Sequence, residues 1–310
     1  MSSAAETVFI ETRENRRFQE FCDACRRYRY IGLCYGPPGV GKTLSARQYA
    51  NWDAVTSYNT YRSSAGTTLH DVLNSDVVFW TASVTNTPGQ VDKTLYRLRD
   101  QLRHIPLEEL YRRRQVRFND VWANELKASP TTDDVFAHMR NPSATTQQLL
   151  EDIEHQYREQ QVATRDPTRL IIIDEADRLK MAVLDQLRDI FDRGDIGLVL
   201  IGMPGLEKRL ARYPQLYSRI GFVHEYRPLS REDIRQLLQD SWCPPGIVLP
   251  VGALSDDNGI NTIIRVTGGN FRLLHRLLTQ IGRVLEINQL ETVTPDVVDA
   301  ARESLVIGTA

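Results

Sequence analysis

The stretch Gly36-Pro37-Pro38-Gly39-Val40-Gly41-Lys42-Thr43 decides how this chain folds. Before it, Tyr30–Tyr35 (YIGLCY) is mostly apolar and reads as a short strand; after it, Lys42–Trp52 reads as a helix. A strand, a glycine-rich turn and a helix in that order aim backbone N–H groups at one point, beside the positive end of the helix. Such a turn holds the phosphates of a nucleotide. Gly36, Pro37, Pro38, Gly39, Val40, Gly41, Lys42, Thr43 and Leu44 are therefore the candidate binding segment. Lys42 is expected to reach the β- and γ-phosphates of ATP, and the Thr43 hydroxyl to ligate Mg²⁺.

A second stretch supplies the partner chemistry. Leu170-Ile171-Ile172-Ile173 is apolar at every position, as a strand buried on both faces must be, and it ends in Asp174-Glu175. Asp174 at the strand end is placed to hold Mg²⁺, directly or through water. Glu175 is placed to polarise the water that attacks the γ-phosphate. Asp174-Glu175-Ala176-Asp177 also spells an RNA-helicase box, but a helicase would need a second motor core for which the rest of the chain leaves no room.

The remaining pattern alternates strands and helices. Phe18–Arg29, Gly89–His104, Thr145–Gln160 and Met181–Phe191 read as helices, and Asp76–Ala82, Gly197–Gly202 and Phe222–Tyr226 as strands. Residues 105–143 resist reading, with Pro106, Pro130 and Pro142 expected to break them. Strands separated by helices imply right-handed crossovers and a parallel sheet flanked by helices, an α/β P-loop NTPase fold.

After Pro228 the pattern becomes helical. Ser230 is an N-cap for a helix continuing through Ile234–Trp242, and Cys243–Gly252 forms a Pro/Gly-rich break. A helix over Gly259–Val266 ends at Gly268-Gly269, Asn270 caps Phe271–Ile287, and Thr294-Pro295 opens the last helix. The expected division is an α/β domain over 1–228, with an insertion at about 105–143, and a small all-helical domain over 229–310.

With GPPGVGKT, LIIIDE and these C-terminal helices, the chain resembles the AAA+ ATPases over about residues 15–305. The resemblance makes 229–310 a lid. It makes Arg219, in Ser218-Arg219-Ile220, an arginine finger that reaches in trans to a neighbouring subunit's γ-phosphate, with Arg209 and Arg212 as competitors; a salt-bridged surface arginine is the plain alternative. It makes Arg272, in Gly268-Gly269-Asn270-Phe271-Arg272, the sensor that contacts the subunit's own nucleotide. It also implies a polar residue at the end of the fourth strand, where this chain has Gly202-Met203-Pro204. Met203 cannot orient a water, so slow hydrolysis and a switch rather than a fast motor are expected.

Within that family Leu198–Leu229 looks like the transposition-associated ATPases, the TniB, TnsC and phage Mu B-like target-selection proteins. That resemblance implies a homo-oligomer, ring or helical filament, on double-stranded DNA without sequence reading. It implies a transposase and a target-selector or adaptor protein as partners, with hydrolysis driving disassembly. ExeA-like secretion ATPases share parts of the pattern, and their likeness implies a switch acting on protein partners without DNA.

Bulk charge does not point to nucleic acid, since 38 Lys and Arg oppose 40 Asp and Glu for a net charge of −2. A local patch does. Arg97, Arg99, Arg103, Arg112, Arg113, Arg114 and Arg117 face only Asp100, Glu108 and Glu109 in that span. Arg112, Arg113, Arg114 and Arg117 are the candidate DNA contacts; a solvated helix face or an intersubunit salt-bridge surface is the equal alternative. Cys22 and Cys25 form a lone C-x-x-C, read as buried free thiols in a reducing cytosol rather than a zinc site. Neither a secretory signal in Met1–Glu11 nor an apolar run long enough to span a membrane is visible, so a cytoplasmic location with no membrane partner is expected.

Overall fold

The structure is a computed structural model, and it describes residues 9–58, 67–127, 142–240, 242–244, 247, 249–250 and 252–305. In chain order its elements are α1 (Arg13–Tyr28), β1 (Ile31–Tyr35), α2 (Lys42–Tyr49), α3 (Trp52–Ser57), α4 (Leu69–Val72), β2 (Val77–Thr81), α5 (Pro88–Lys127), α6 (Ala144–Ala163), β3 (Leu170–Asp174), α7 (Met181–Arg193), β4 (Gly197–Gly202), α8 (Leu206–Leu210), α9 (Pro214–Tyr217), β5 (Ile220–Glu225), α10 (Arg231–Gln239), α11 (Asp257–Thr267), α12 (Phe271–Asn288) and α13 (Pro295–Glu303). They form two compact units, one from Met1–Tyr49, Phe79–Asn86 and Leu170–Ala310, the other from Ala50–Val78 and Thr87–Arg169.

The first unit is built on a parallel sheet in the order β2-β3-β4-β1-β5. β1 pairs with β4, Leu33 opposite Leu200, and β3 pairs with β4, Ile172 opposite Val199. Every residue of β3 and β4 is buried, which accounts for their unbroken apolar runs. The last strand starts at Ile220 rather than Phe222, because the register against β1 shifts between Ile31 and Gly32 and hides the alternation.

α1 begins five residues before the expected Phe18, because Thr12 Oγ1 accepts from Asn15 N at 3.1 Å and caps a polar first turn. Its inner face buries Phe18, Phe21, Cys22 and Cys25. The Phe18 ring lies 5.8 Å from the ring of Tyr226, just beyond β5. The helix expected over Lys42–Trp52 stops at Tyr49, since Asn51 takes a left-handed φ of 49°. Burial pushes the Cys25 thiol up to about 12 and raises Cys22 as well, so neither is a thiolate at neutral pH.

The C-terminal helices of this unit share their own core, with Leu238, Ile263, Leu274, Leu277, Leu278, Ile281 and Val298 all at 0–1% exposure. The expected punctuation is present. Ser230 and Asp233 form a capping box, Gly268 closes α11 at φ 53°, Asn270 caps α12, and Thr294 with Pro295 opens α13.

The second unit corrects one expectation. Pro106 does not break the chain: α5 runs through it for 40 residues. An internal proline removes one backbone hydrogen bond and costs about 3 kcal/mol. Burial of Val91, Leu95, Leu102 and Ile105 along the same helix offsets that cost. So do ties to α6: Arg114 to Glu154 at 2.7 Å, Arg117 to Gln156 at 2.8 Å, and Glu125 to Thr146 at 2.6 Å. The rest of the 105–143 segment, 128–141 with Pro130, lies outside the described residues.

Ile172→Ala, at a position with 0% exposure, is expected to lower the unfolding free energy of the first unit by about 2–5 kcal/mol in a urea titration. A loss below about 1 kcal/mol would show that β3 is not central to the core.

Candidate nucleotide site

The phosphate loop needs backbone shapes that only glycine adopts cheaply: Gly39 has φ +80° and Gly41 φ +111°. Between β1 and α2 these two residues turn the chain so that α2 opens at Lys42. Lys42 is 9% exposed, and its Nζ donates to the carbonyls of Gly36 at 2.6 Å and Pro37 at 2.7 Å. Burial pulls its ammonium below its ordinary value; Cys34 and the carboxylates of Asp174, Asp177 and Glu175 oppose that pull. Behind the loop, the buried Tyr226 hydroxyl shares a 2.7 Å hydrogen bond with Ser45 Oγ, and burial pushes it up to about 12.

The two stretches that the sequence singled out meet. Thr43 Oγ1 donates to Asp174 Oδ2 at 2.7 Å, although the residues are 131 positions apart. Asp174 is 4% exposed, and its other oxygen accepts from Glu175 N at 2.9 Å. Glu175 itself takes a left-handed backbone, φ 56°, the kind of strained conformation that clusters at functional sites. Its Oε2 lies 3.6 Å from Arg178 Nη2.

Loop, strand ends and α12 enclose a cleft of about 330 Å³ lined by Pro38, Gly39, Gly41, Lys42, Thr43, Leu44, Asp174, Glu175, Asp177, Met203 and Arg272, among others. Gly36, Pro37 and Val40 form the loop's inner frame, with Gly36 and Val40 buried. Asn270 joins α12 to the loop. Its Nδ2 donates to Pro38 O at 2.9 Å while its Oδ1 caps Leu273 N at 3.1 Å, and Arg272 N donates to Gly39 O at 2.9 Å.

Four features of this cleft escape a reading of the sequence. Asp177 Oδ2 accepts from Met203 N at 2.8 Å. His275 and Arg276 line the cleft beside Arg272. The signal for Arg276 is its i, i+4 spacing from Arg272, which puts both on one helix face. The second bond of Asn270 has no local signal at all.

The donors fit Mg²⁺. A hydroxyl and a carboxylate converge at Thr43 and Asp174, and no group of three or more His, Cys, Asp or Glu that could hold a metal ion occurs among the described residues. Mg²⁺ is commonly held this way, by one or two protein oxygens, with substrate phosphates and water completing the octahedron.

The three arginines considered as trans fingers are placed differently. Arg219 grips Asp192, Nε to Oδ1 at 2.5 Å and Nη2 to Oδ2 at 2.7 Å, and also donates to Gln215 O. Arg209 donates to the carbonyls of Asp177 and Leu179 in its own chain. Arg212 is exposed, and its side chain has no partner among the described residues.

In the second unit the basic segment is locally paired. Arg112 and Arg113 bond Glu108 and Glu109 one turn away, at 3.0 and 2.6 Å. Arg117 bonds Gln156. Arg114 lies between helices, bonded to Glu154 and stacked over Phe118 and Tyr157, so it ties α5 to α6.

A parallel sheet whose strand ends carry a glycine-rich loop and, hydrogen-bonded to it, a buried aspartate is the pattern of a P-loop nucleotide hydrolase. A family model described as AAA domain matches residues 25–210. A Staphylococcus aureus protein described as a potential ATP-binding protein is 39% identical over 303 residues, 97% of each chain. In fold, the chain is similar to Cdc6p from Pyrobaculum aerophilum (15% identity, 100% of this chain and 71% of that one, TM-score 0.52). A further likeness is to the RuvB Holliday junction branch migration motor of Thermotoga maritima (15%, 96% and 70%, TM-score 0.48). The chain belongs to the AAA ATPase family. Its cofactors are ATP and Mg²⁺, and its reaction is hydrolysis of ATP to ADP and phosphate.

Thr43→Ala and Asp174→Ala are each expected to weaken Mg²⁺-dependent binding of a fluorescent ATP analogue by about tenfold or more, while binding in EDTA changes little. Glu175→Gln is expected to keep binding and to slow phosphate release about 100-fold.

Proposed function

We propose that this AAA ATPase is a nucleotide-dependent assembly switch that oligomerises on duplex DNA, selects a target and recruits or activates a transposase. The observation that carries the switch is the pair of 2.9 Å bonds from Asn270 and Arg272 N to the loop carbonyls of Pro38 and Gly39. Any change that nucleotide imposes on the loop reaches the first turn of α12 directly. On this reading residues 229–310 act as the lid over a 1–228 nucleotide-binding domain, and Arg272 reads the terminal phosphate.

The trans arginine is Arg219. Its bidentate hold on Asp192 must open when a neighbour's nucleotide arrives, which couples hydrolysis to assembly. Met203 at the end of β4 keeps turnover below about 1 s⁻¹ per subunit, as a switch requires. The transposition assignment rests on the Leu198–Leu229 resemblance, and the DNA contact on α5. There Arg112 and Arg113 remain 50% and 67% exposed despite their pairing. No helix of the described residues is long and apolar enough to cross a membrane.

A second reading has its own observation. Arg112, Arg113, Arg114 and Arg117 all have partners within the second unit, which lowers the free positive charge on α5 and favours a switch that acts on protein partners.

Electron microscopy with a slowly hydrolysed ATP analogue separates the two. Nucleotide-dependent rings or filaments that enclose duplex DNA support the first, and an oligomer indifferent to DNA supports the second. Arg112→Glu with Arg113→Glu is expected to abolish salt-sensitive duplex binding while leaving nucleotide affinity unchanged. Arg114→Ala is expected instead to lower the thermal stability of the second unit.

A further inference from the structure

Asp177 lines the cleft beside Asp174 and Glu175. It lies in the single turn Ala176–Arg178 that follows β3, three residues beyond Asp174. Its Oδ2 accepts from Met203 N at 2.8 Å, which latches the end of β3 to the end of β4. Gly202 makes the latch possible, because a Cβ there would stand 2.5 Å from that same oxygen and 2.6 Å from Leu206 Cδ2. Arg209 secures the turn from behind, donating to Asp177 O at 2.6 Å and to Leu179 O. The other carboxylate oxygen, Oδ1, has no partner among the described residues, and Asp177 lines the cleft together with Lys42, Thr43, Asp174, Glu175 and Met203.

These contacts describe a carboxylate held rigidly by one oxygen with the second left for a ligand. Met203 offers only a weakly accepting thioether to the same space. Its backbone N–H instead fixes Asp177.

We propose that Asp177 Oδ1 orients the water that attacks ATP, supplying from the β3 turn a partial substitute for the polar contact that Met203 withholds at the end of β4. The water donates one hydrogen bond to Asp177 and the other to Glu175, so its lone pair faces the terminal phosphorus. The water oxygen bonds to that phosphorus as the bond to the bridging oxygen breaks, and the electron pair leaves with ADP. The proton passes to Glu175 and from there to solvent, so no further reactant is needed. This inference rests on the ATPase activity alone and is independent of whether DNA is bound.

Asp177→Asn tests it, because the amide oxygen still accepts from Met203 N while the charge is lost. The full chain is assayed for affinity for a fluorescent ATP analogue with Mg²⁺, for its melting midpoint, and for phosphate release. Affinity and melting midpoint are expected to stay near wild type while kcat falls about 10- to 100-fold. Adding Met203→Asn, which brings an amide to the same space, is expected to restore about tenfold of the lost rate.

Wild-type turnover in Asp177→Asn overturns the proposal. So does a loss of nucleotide affinity as large as the loss of kcat, which marks a merely structural residue, and so does a failure of Met203→Asn to rescue. If Asp177→Asn melts below the assay temperature, Asp177→Glu serves instead, since it keeps the charge but displaces it by one methylene. A tenfold fall in kcat at unchanged affinity then supports the proposal, and unchanged kcat overturns it.

Discussion

The 2.7 Å hydrogen bond from Thr43 to Asp174 is the constraint on which the site is organised. It joins the first turn of α2 to the end of β3, and β3 and β1 are not neighbours: β4 lies between them. The bond therefore spans the carboxyl end of β4, the crevice where ligands bind in open parallel sheets. Three demands follow for β4. It must be buried throughout, it must run parallel to both flanking strands, and it must end in a residue small enough to let side chains cross. Gly197–Gly202 meets all three.

Much of this was legible in the sequence because its signals are local. Gly39 and Gly41 announce a turn, the apolar run before Asp174 announces a doubly covered strand, and Ser230, Gly268, Asn270 and Thr294 announce helix ends. What was not legible depends on partners far along the chain. Pro106 looks like a breaker until the buried side chains that precede it and the second helix at Glu154 and Gln156 are in place. Arg114 reads as one of a basic run, yet its carboxylate and one of its two rings come from residues 40 or more positions on. Asp177 reads as the last letter of a box, and only the amide of Met203 and the missing side chain of Gly202 show what holds it.

The arginines of α5 also clarify the near-zero net charge. They are not a bare basic surface averaged away by acidic segments elsewhere. Arg112 and Arg113 are matched at i, i+4 spacing by Glu108 and Glu109, a pattern that supports a long exposed helix by only about 0.3–0.5 kcal/mol per pair. Pairs so weak exchange partners readily, and a phosphate can replace a glutamate at small cost.

Asn270 uses one amide twice, as the cap of a helix and as the grip on a loop carbonyl. Its donor and acceptor sit on the same planar group, so neither bond can shift without tilting the other. The loop and the helix end are thus two faces of one equilibrium, and thermodynamic reciprocity sets the terms. Whatever free energy a bound phosphate contributes to ordering the helix end, an ordered helix end must return in full to phosphate binding. A partner that holds the C-terminal helices, far from any nucleotide, would therefore tune nucleotide affinity through Asn270 and the neighbouring Arg272 N–H.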